Sequence, residues 1–376
     1  MDFELTELQV AIRDLADKVL ASRAPTPGSM GGEWPDRALL ADLGSTGLLA
    51  CGVSPEAGGQ GGGMVEVCLV LEAAGRAAAR APIMQSMLAA AAVDRYAGSH
   101  INSERLQSWL AGQRIVTVCV GDGHGGDGPT GLAAARRGND WVLDGALSFV
   151  PFGAEAEDVL AFAETEGGGL LFVMSPRAAG CTVQPLATTS GAPEARLEVR
   201  DMVVPHTDVV IAGAGAPDAR AWLWERVLVG GAATLVGLGD AALRLTASYT
   251  SQRLQFGRPL SSFQAVAMHA ADAFIDVEGA KLATLQAAWR QGAGLTAQRE
   301  ASIAKFWASE AITRVLAVAN HLHGGMGLLL DYPLARYMTA ARHQAIANGA
   351  SQWHLARLGS LLAVRARADT NALLDA

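Results

Sequence analysis

The sequence has few cysteines, and none of them is arranged to bind a metal. Its 376 residues include four cysteines, Cys51, Cys68, Cys119 and Cys181. No Cys-x-x-Cys pair is present, and no group of histidines completes a zinc ligand set. Scattered single thiols are typical of proteins from a reducing compartment. We therefore predict a cytoplasmic protein without a metal site.

The sequence also lacks an excess of positive charge, a targeting segment and a long apolar run. With a net charge of −8 the sequence shows no electrostatic footprint for nucleic acid, so we predict that it binds none. The N-terminus is amphipathic with early acidic residues, unlike a signal peptide or a basic transit peptide. The longest apolar run, Val227–Gly239, is shorter than the roughly 20 residues that span a bilayer. It predicts a buried core helix and no membrane span.

The residue patterns that are present change twice along the chain. Residues 1–112 show helical periodicity and alanine-rich stretches, with Thr6 as a candidate N-cap of the first helix. Residues 113–217 contain short runs of β-branched and aromatic residues between turns. Residues 218–376 return to a helical pattern. The predicted fold class is therefore α+β multidomain: an N-terminal helical domain, a middle β-sandwich or barrel, and a C-terminal antiparallel bundle of four or five helices.

Five strands are predicted in the middle domain, each bounded by glycine, aspartate or proline turns. They are Ile115–Val120, Trp141–Phe149, Val159–Ala163, Leu170–Met174 and Leu197–Val204.

Three segments resemble motifs of one protein family. Residues 47–77, GLLACGVSPEAGGQGGGMVEVCLVLEAAGRA, follow the opening helix and contain a glycine-rich turn before a second helix. Residues 249–264, YTSQRLQFGRPLSSFQ, are similar to the signature Y-x-x-x-R-x-x-F-G-x-x-[IL]-x-x-[FH]-Q. Residues 321–327, HLHGGMG, followed by Asp-Tyr-Pro at 331–333, resemble a Q-x-x-G-G-x-G turn. On these segments the chain resembles the acyl-CoA dehydrogenase family.

The resemblance implies a fold, a cofactor and a reaction. It implies a tetramer of three-domain subunits that bind FAD between the β domain and the C-terminal bundle, with the adenine half reaching a neighbouring subunit. In the family's reaction a carboxylate removes the α-proton of an acyl-CoA, and a hydride passes from the β-carbon to flavin N5. The product is a trans-2-enoyl-CoA, and the electrons usually continue to an electron-transfer flavoprotein.

The matching motifs supply candidate FAD-binding residues. Arg253 is the natural bidentate partner of a pyrophosphate, although a surface arginine at a helix end has the same pattern. By resemblance, Gln264 provides an amide for the adenine, and His321 stands where the family usually has glutamine. The full set of candidates is Arg253, Phe256, Gly257, Leu260, Phe263, Gln264, His321, Gly324 and Gly325. The two glycines of the turn would allow a ligand to approach the backbone closely.

The catalytic base of the family is absent at its usual position. Many members carry it as the glutamate of Y-E-G-T-S-Q, and the matching segment here, residues 347–352, reads ANGASQ. Asn348 therefore replaces the glutamate, and a carboxamide accepts no proton at neutral pH. In relatives that place the glutamate on the first helix of the bundle, the position corresponds to Val227. Glu225 is two residues away, about 200° around a helix, and is the alternative candidate.

The segments that hold the flavin ring in catalytic relatives are also altered. Their Trp-[IV]-[ST] stretch corresponds to Phe149-Val150-Pro151. Phe149 offers a stacking surface, but Pro151 has no N–H to donate. The family's T-E-x-x-x-G-S-D stretch is replaced by residues 120–128, VGDGHGGDG.

Three hypotheses follow from the motifs that are retained and those that are lost. In the first, the chain resembles the base-lacking chain of heterotetrameric members, and it completes FAD sites whose base lies on a homologous partner subunit. In the second, it is a self-sufficient enzyme with Glu225 as the base. In the third, it is a scaffold without a redox role, which the retained FAD signature argues against.

Overall fold

We describe the protein from a computed structural model, which covers residues 4–26, 33–97, 103–121 and 128–374. The N-terminal part is helical, as predicted. Its helices are α1 (Glu7–Leu20), α2 (Arg37–Ser45), α3 (Met64–Arg76), α4 (Ile83–Tyr96) and α5 (Ser103–Leu110).

Helix α1 begins where the sequence predicts. The Thr6 hydroxyl accepts from the Gln9 backbone N–H at 3.3 Å, and the Gln9 side chain accepts from the Thr6 N–H at 3.0 Å. This reciprocal pair satisfies two backbone donors that the first helical turn leaves open. Ala16 and Leu20 face inward and are buried, so the helix packs its apolar side on the core.

The middle of the chain forms a mixed β-sheet of eight strands. The strands are β1 (Val116–Cys119), β2 (Leu132–Arg137), β3 (Asp140–Pro151), β4 (Asp158–Thr165), β5 (Gly168–Met174), β6 (Cys181–Leu186), β7 (Glu194–Val204) and β8 (Val209–Ala212). The order is β6-β7-β3-β2-β4-β5-β8, with β1 parallel to β4. Only Ala133 and Glu164 pair between β2 and β4. Strand pairing between the two halves of the sheet is thus limited to this one residue pair.

All five predicted strands are present, and three further strands were missed. Strand β2 reads LAAARR, which has the composition of a helix. Strand β6 leaves most of its residues partly or fully exposed, and β8 has four residues. These segments extend because β3, β7 and β5 offer hydrogen-bonding edges beside them, and pairing of this kind overrides local propensity.

The C-terminal part is a bundle of five helices. They are α6 (Ala216–Gln252), α7 (Gln264–Gly292), α8 (Gln298–His323), α9 (Pro333–Ile346) and α10 (Ser351–Leu374). A two-residue hairpin, β9 (Leu254–Gln255) with β10 (Arg258–Pro259), separates α6 from α7. The predicted fold class, with helical, β and helical parts in that order, is confirmed. The boundaries at residues 112 and 217 stay a prediction.

Helix α6 is the central helix of the protein. It has the length and apolar character of a membrane span, but 78% of its most apolar window is buried inside the protein. It packs closely on α3, because a Cβ on Gly237 would lie 1.9 Å from the Glu72 carbonyl oxygen. Val227–Gly239 lies within α6 and is largely buried, as predicted.

One buried ionic cluster fixes the junction between α5 and the sheet. Asp158, which is 1% exposed, accepts from Trp109 Nε1 at 2.8 Å and from Arg114 at 3.0 and 3.1 Å. Replacing Asp158 with alanine leaves a buried indole N–H and a guanidinium without their acceptor. We expect a loss of about 3 kcal/mol of unfolding free energy.

Urea denaturation of Asp158→Ala checks this value. Asp14→Ala is the control, because the exposed pair of Asp14 with Arg13 should contribute less than about 1 kcal/mol. Equal stability of the two variants would contradict the assignment.

Candidate active site and cofactor face

A large cavity lies between the β domain and the C-terminal bundle. Its volume is about 780 Å³. Helix α6 and helix α9 form one wall, and the α3–α4 connection, the end of β3 and the loop before β7 form the others. Most of the lining is apolar and includes Leu71, Ile83, Met84, Val118, Phe149, Phe152, Trp224, Val227, Leu238 and Ile346. This is the place where the resemblance expects a flavin ring and an acyl chain.

The end of β3 is poorly suited to hold a flavin ring. Phe149 and Phe152 both have left-handed backbones, with φ of +53° and +55°. Pro151 has no N–H, and its carbonyl oxygen already accepts from Thr117 Oγ1 at 2.6 Å. The N–H of Phe152 donates to the Pro193 carbonyl at 2.8 Å. At this end of β3, therefore, neither Pro151 nor the Phe152 N–H is available to donate to the polar edge of a flavin ring.

Asn348 lies on the wall of this cavity. It follows α9 in a turn with φ of +59°, a left-handed conformation that asparagine adopts more readily than most residues. The buried His354 donates from Nε2 to the Asn348 carbonyl at 3.1 Å. Asn348, which the sequence places at the position of the family's base, thus lies on the cavity wall with a carboxamide side chain.

Glu225 does not line the cavity. Val227, two residues later on α6, does line it and is 6% exposed. Burial raises the pKa of the Glu225 carboxyl, while the nearby Arg226 and Arg357 oppose the rise. These neighbours lie outside the cavity lining, so the side chain faces another part of the bundle.

The fold brings three polar side chains together on the cavity wall, and no motif in the sequence predicts this cluster. Among the described residues of the lining, Glu194 is the one carboxylate. Its Oε1 lies 3.1 Å from His343 Nε2, and Ser190 Oγ lies 2.9 Å from His343 Nδ1. Glu194 begins β7 and His343 is on α9, so 149 positions of sequence separate the pair. The contacts of Glu194 and Ser190 with His343 therefore join the β domain to the C-terminal bundle beside the cavity.

Lys305 donates hydrogen bonds to the last turn of α9. It is 0% exposed, and its Nζ donates to the carbonyls of Gln344 and Ala345 at 2.9 Å and to Ser309 Oγ at 3.1 Å. Burial lowers the pKa of Lys305 from 10.5 to about 7. Burial, and then the positive charge of Lys305, lowers the pKa of His354 from 6.5 to about 4.

The pKa of Lys305 predicts a pH dependence of stability. Between pH 7 and 10.5 the unfolded chain binds a proton that the folded chain does not, so stability rises with pH across this window. Urea unfolding at a series of pH values should show this rise, and Lys305→Met should reduce its slope. Lys18→Met, at an exposed position, is the control and should keep the slope. An unchanged slope in Lys305→Met would contradict the pKa assignment.

The candidate FAD-binding residues lie apart from this cavity, on the surface. Arg253 ends α6, and its carbonyl accepts from the Leu260 N–H at 2.9 Å across the hairpin. Phe256 stands at the hairpin tip with φ of +52° and 92% exposure. Phe263 contacts its ring edge-on at 6.2 Å, and the Arg258 guanidinium lies 4.0 Å from the Phe263 ring centre. The hairpin thus presents an exposed arginine and an aromatic ring together.

The remaining candidates are mostly exposed as well. Gln264 begins α7 and His321 lies near the end of α8, both with exposed side chains. Gly324 has φ of +56°, which favours glycine, and a Cβ on Gly324 or Gly325 would meet no atom within 4 Å. Gly257 is exposed with φ of +78°, and Leu260 is half-buried. These nine residues, which we term the cofactor face, are open to a neighbouring molecule.

The hairpin, α7 and the segment after α8, which carry most of the cofactor face, also carry exposed large apolar side chains. They include Leu254, Met268, Phe274, Ile275, Leu328 and Leu330, each more than half exposed.

Most of the glycine-rich segment 120–128 lies outside the described residues. Its two ends are held together by Arg220, which donates to the carbonyls of Val120 and Gly128.

Comparisons with known proteins agree on one family. The acyl-CoA dehydrogenase N-terminal domain matches residues 3–113, and the acyl-CoA dehydrogenase C-terminal domain matches residues 219–362. The acyl-CoA dehydrogenase FadE27 of Mycobacterium tuberculosis is 35% identical over 337 residues, covering 87% of this chain and 88% of FadE27.

Solved structures give the same result. A chain of the ChsE4-ChsE5 complex from Mycobacterium tuberculosis is 34% identical with a TM-score of 0.87, covering 96% of this chain and 99% of that chain. A chain of the Tcur3481-Tcur3483 steroid ACAD G363A variant is 30% identical with a TM-score of 0.87 and the same two coverages. The chain belongs to the acyl-CoA dehydrogenase family of FAD-dependent oxidoreductases.

Proposed function

We propose that this chain is the auxiliary subunit of a hetero-oligomeric acyl-CoA dehydrogenase. One observation carries the proposal: the cofactor face is exposed and retains its signature, whereas the chain's own cavity has Asn348 in place of the base and Pro151 at the flavin-ring position. A chain with this combination contributes to a site on a neighbour and lacks the means to abstract a proton in its own cavity.

The residue types indicate which part of the FAD site each subunit would supply. The Arg253 guanidinium would bind the pyrophosphate of FAD held mainly by the partner, because two parallel N–H donors match phosphate oxygens. Phe256 would cover the dinucleotide, and the backbone around Gly324 would allow its close approach. The flavin supplies the hydride acceptor. The homologous partner supplies the ring-binding donors and the carboxylate that removes the α-proton of the acyl-CoA, giving a trans-2-enoyl-CoA.

The similar structures support a mixed assembly. The ChsE4-ChsE5 and Tcur3481-Tcur3483 structures each name two different chains, and the second is described as a steroid ACAD. We infer a heterotetramer acting on an acyl-CoA from lipid, fatty acid or steroid side-chain catabolism, with an electron-transfer flavoprotein as electron acceptor. The four free thiols favour a cytoplasmic location.

Counting flavins tests the proposal. The chain is expressed alone and together with a family member that carries the base, and each purified sample is analysed for oligomer mass and for flavin per chain. We expect the chain alone to lack flavin, and the co-expressed pair to form a yellow complex with fewer flavins than chains. A homo-oligomer that carries one flavin per chain and is bleached by an acyl-CoA would refute the proposal.

A further inference from the structure

The three polar side chains on the cavity wall form a relay of hydrogen bonds that the proposed function does not use. Glu194 Oε1 lies 3.1 Å from His343 Nε2, and Ser190 Oγ lies 2.9 Å from His343 Nδ1. A carboxylate accepts hydrogen bonds and cannot donate them, so the proton of the neutral imidazole lies on Nε2. The other ring nitrogen, Nδ1, then accepts from the Ser190 hydroxyl. A hydroxyl, an imidazole base and a carboxylate that orients the base are the groups that activate a serine nucleophile.

Ser190 is fixed on a tight turn between β6 and β7. The Gly191 N–H donates to the Thr188 carbonyl at 3.2 Å, and Thr188 Oγ1 donates to the Ala192 carbonyl at 2.7 Å. The Ser190 hydroxyl is closer to His343 Nδ1, at 2.9 Å, than to Thr188 Oγ1, at 3.3 Å. The Ala192 N–H donates to Ser190 Oγ at 3.2 Å. This N–H would stabilise the negative charge that develops on Oγ as its proton leaves.

The relay is shielded from water but open to the cavity. The side chains of His343 and Glu194 are 21% and 14% exposed, and Ser190 lines the cavity together with them. Glu194 begins β7 and His343 lies on α9, so two regular elements hold the base and the carboxylate. A nucleophile supported in this way keeps its geometry when a substrate enters.

The cavity suits the acyl part of a thioester. Its volume of about 780 Å³ and its mostly apolar lining are typical of a small-molecule site. Trp224 Nε1 and Gln344 Nε2 also line it, and neither has an acceptor within the part of the chain that the structure describes. A thioester carbonyl oxygen accepts from such donors, and it needs them more when a nucleophile adds and the oxygen becomes anionic.

We propose that this cavity hydrolyses the thioester of an apolar acyl group, with Ser190 as the nucleophile, His343 as the base and Glu194 as its positioning residue. Ser190 Oγ bonds to the carbonyl carbon while His343 Nδ1 takes the hydroxyl proton. The carbon–sulfur bond then breaks, and the leaving thiolate takes that proton. Water adds to the acyl-serine ester with His343 again as base, which releases the carboxylic acid and restores the Ser190 hydroxyl.

This activity goes beyond the proposed function and does not depend on it. No electrons are transferred, so the hydrolysis needs neither a flavin nor the partner's base. Both nitrogens of the His343 ring are engaged, by Ser190 and by Glu194. The relay is therefore arranged to take a proton from the serine hydroxyl, which is a different reaction from removal of an α-proton.

Thiol release from decanoyl-CoA tests the proposal. The full chain, purified with whatever subunits accompany it, is mixed with decanoyl-CoA and a chromogenic thiol reagent, without an electron acceptor. Flavin reduction releases no thiol, so repeated turnover reports hydrolysis alone. Ser190→Ala and Glu194→Gln should each slow release by at least about 100-fold, the lower end of the usual contribution of acid–base catalysis. Ser148→Ala is the matched control and should stay within twofold, because its hydroxyl accepts from Arg196 outside the lining.

Covalent labelling gives a second measurement on the folded, unaltered chain. A decyl fluorophosphonate reacts with an activated serine, because a bond forms between Oγ and phosphorus as fluoride leaves. We expect mass spectrometry to find one label per copy of this chain, on Ser190. Glu194→Gln keeps a hydrogen-bond acceptor beside His343 but no charge, and it should slow labelling by the same factor as thiol release. A role limited to joining the β domain and the bundle predicts no labelling of Ser190.

The outcomes separate this inference from the proposed function. Thiol release that persists in Ser190→Ala, or the absence of either thiol release or Ser190 labelling in the unaltered chain, would overturn the inference. Neither result changes the flavin count. Bleaching of bound flavin by an acyl-CoA in the chain alone would instead refute the auxiliary role, whatever the thiol measurement shows.

Discussion

Replacing Arg253 with alanine in this chain should weaken FAD binding to the assembled complex by about 10- to 100-fold. The reason is that the exposed guanidinium at the end of α6 has the geometry to donate to pyrophosphate oxygens. Hydrogen bonds to charged groups contribute about 1.5–3 kcal/mol, which corresponds to this range. The measurement is a titration of the apo complex with FAD, followed by flavin fluorescence.

Arg244→Ala is the matched control for this experiment. Arg244 is also on α6 and its side chain is 76% exposed, but it forms an ion pair with Asp240 away from the hairpin. We expect its FAD affinity to stay within twofold of the unaltered complex. If Arg253→Ala also stays within twofold, the cofactor face does not bind FAD and the scaffold hypothesis gains support.

Removing the partner's carboxylate base should slow flavin reduction by about 10²- to 10⁴-fold, the usual contribution of a general base. Glu225→Gln in this chain should leave the rate within twofold, because Glu225 does not line the cavity and is close to Arg226 and Arg357. The rate is read from the loss of flavin absorbance after rapid mixing of the complex with an acyl-CoA.

This comparison decides between the auxiliary and the self-sufficient hypotheses. Loss of flavin reduction in Glu225→Gln, with the complex still assembled and yellow, would make this chain the source of the base. A Glu225→Ala variant guards against a misleading result, since the glutamine retains a hydrogen-bonding side chain. The proposed function requires both variants to keep the rate.

Local sequence determined the outline of the fold. The capping box at Thr6, the helical periodicity and the buried apolar run of α6 are visible in the sequence because they depend on neighbours within a few residues. The five strands rich in β-branched residues are visible for the same reason. Strand β2 was not, because its alanines and arginines extend only where β3 offers an edge.

The sequence by itself also determined which chemistry is lost at the base position. Asn348 accepts no proton at neutral pH in any fold, and Pro151 has no N–H to donate. Motif spacing selects both residues, and it also selects Arg253 and Gly324, whose role in binding FAD stays a prediction.

Only the tertiary structure decided how these residues are distributed. It exposes the cofactor face, directs Val227 instead of Glu225 into the cavity, and brings Glu194 to within 3.1 Å of His343. It also places Lys305 Nζ beside the last carbonyls of α9, and among the described residues it gives Trp224 Nε1 and Gln344 Nε2 no acceptor. The physical reason is that these contacts join residues from different helices and strands, and their distances depend on packing that sequence periodicity does not encode.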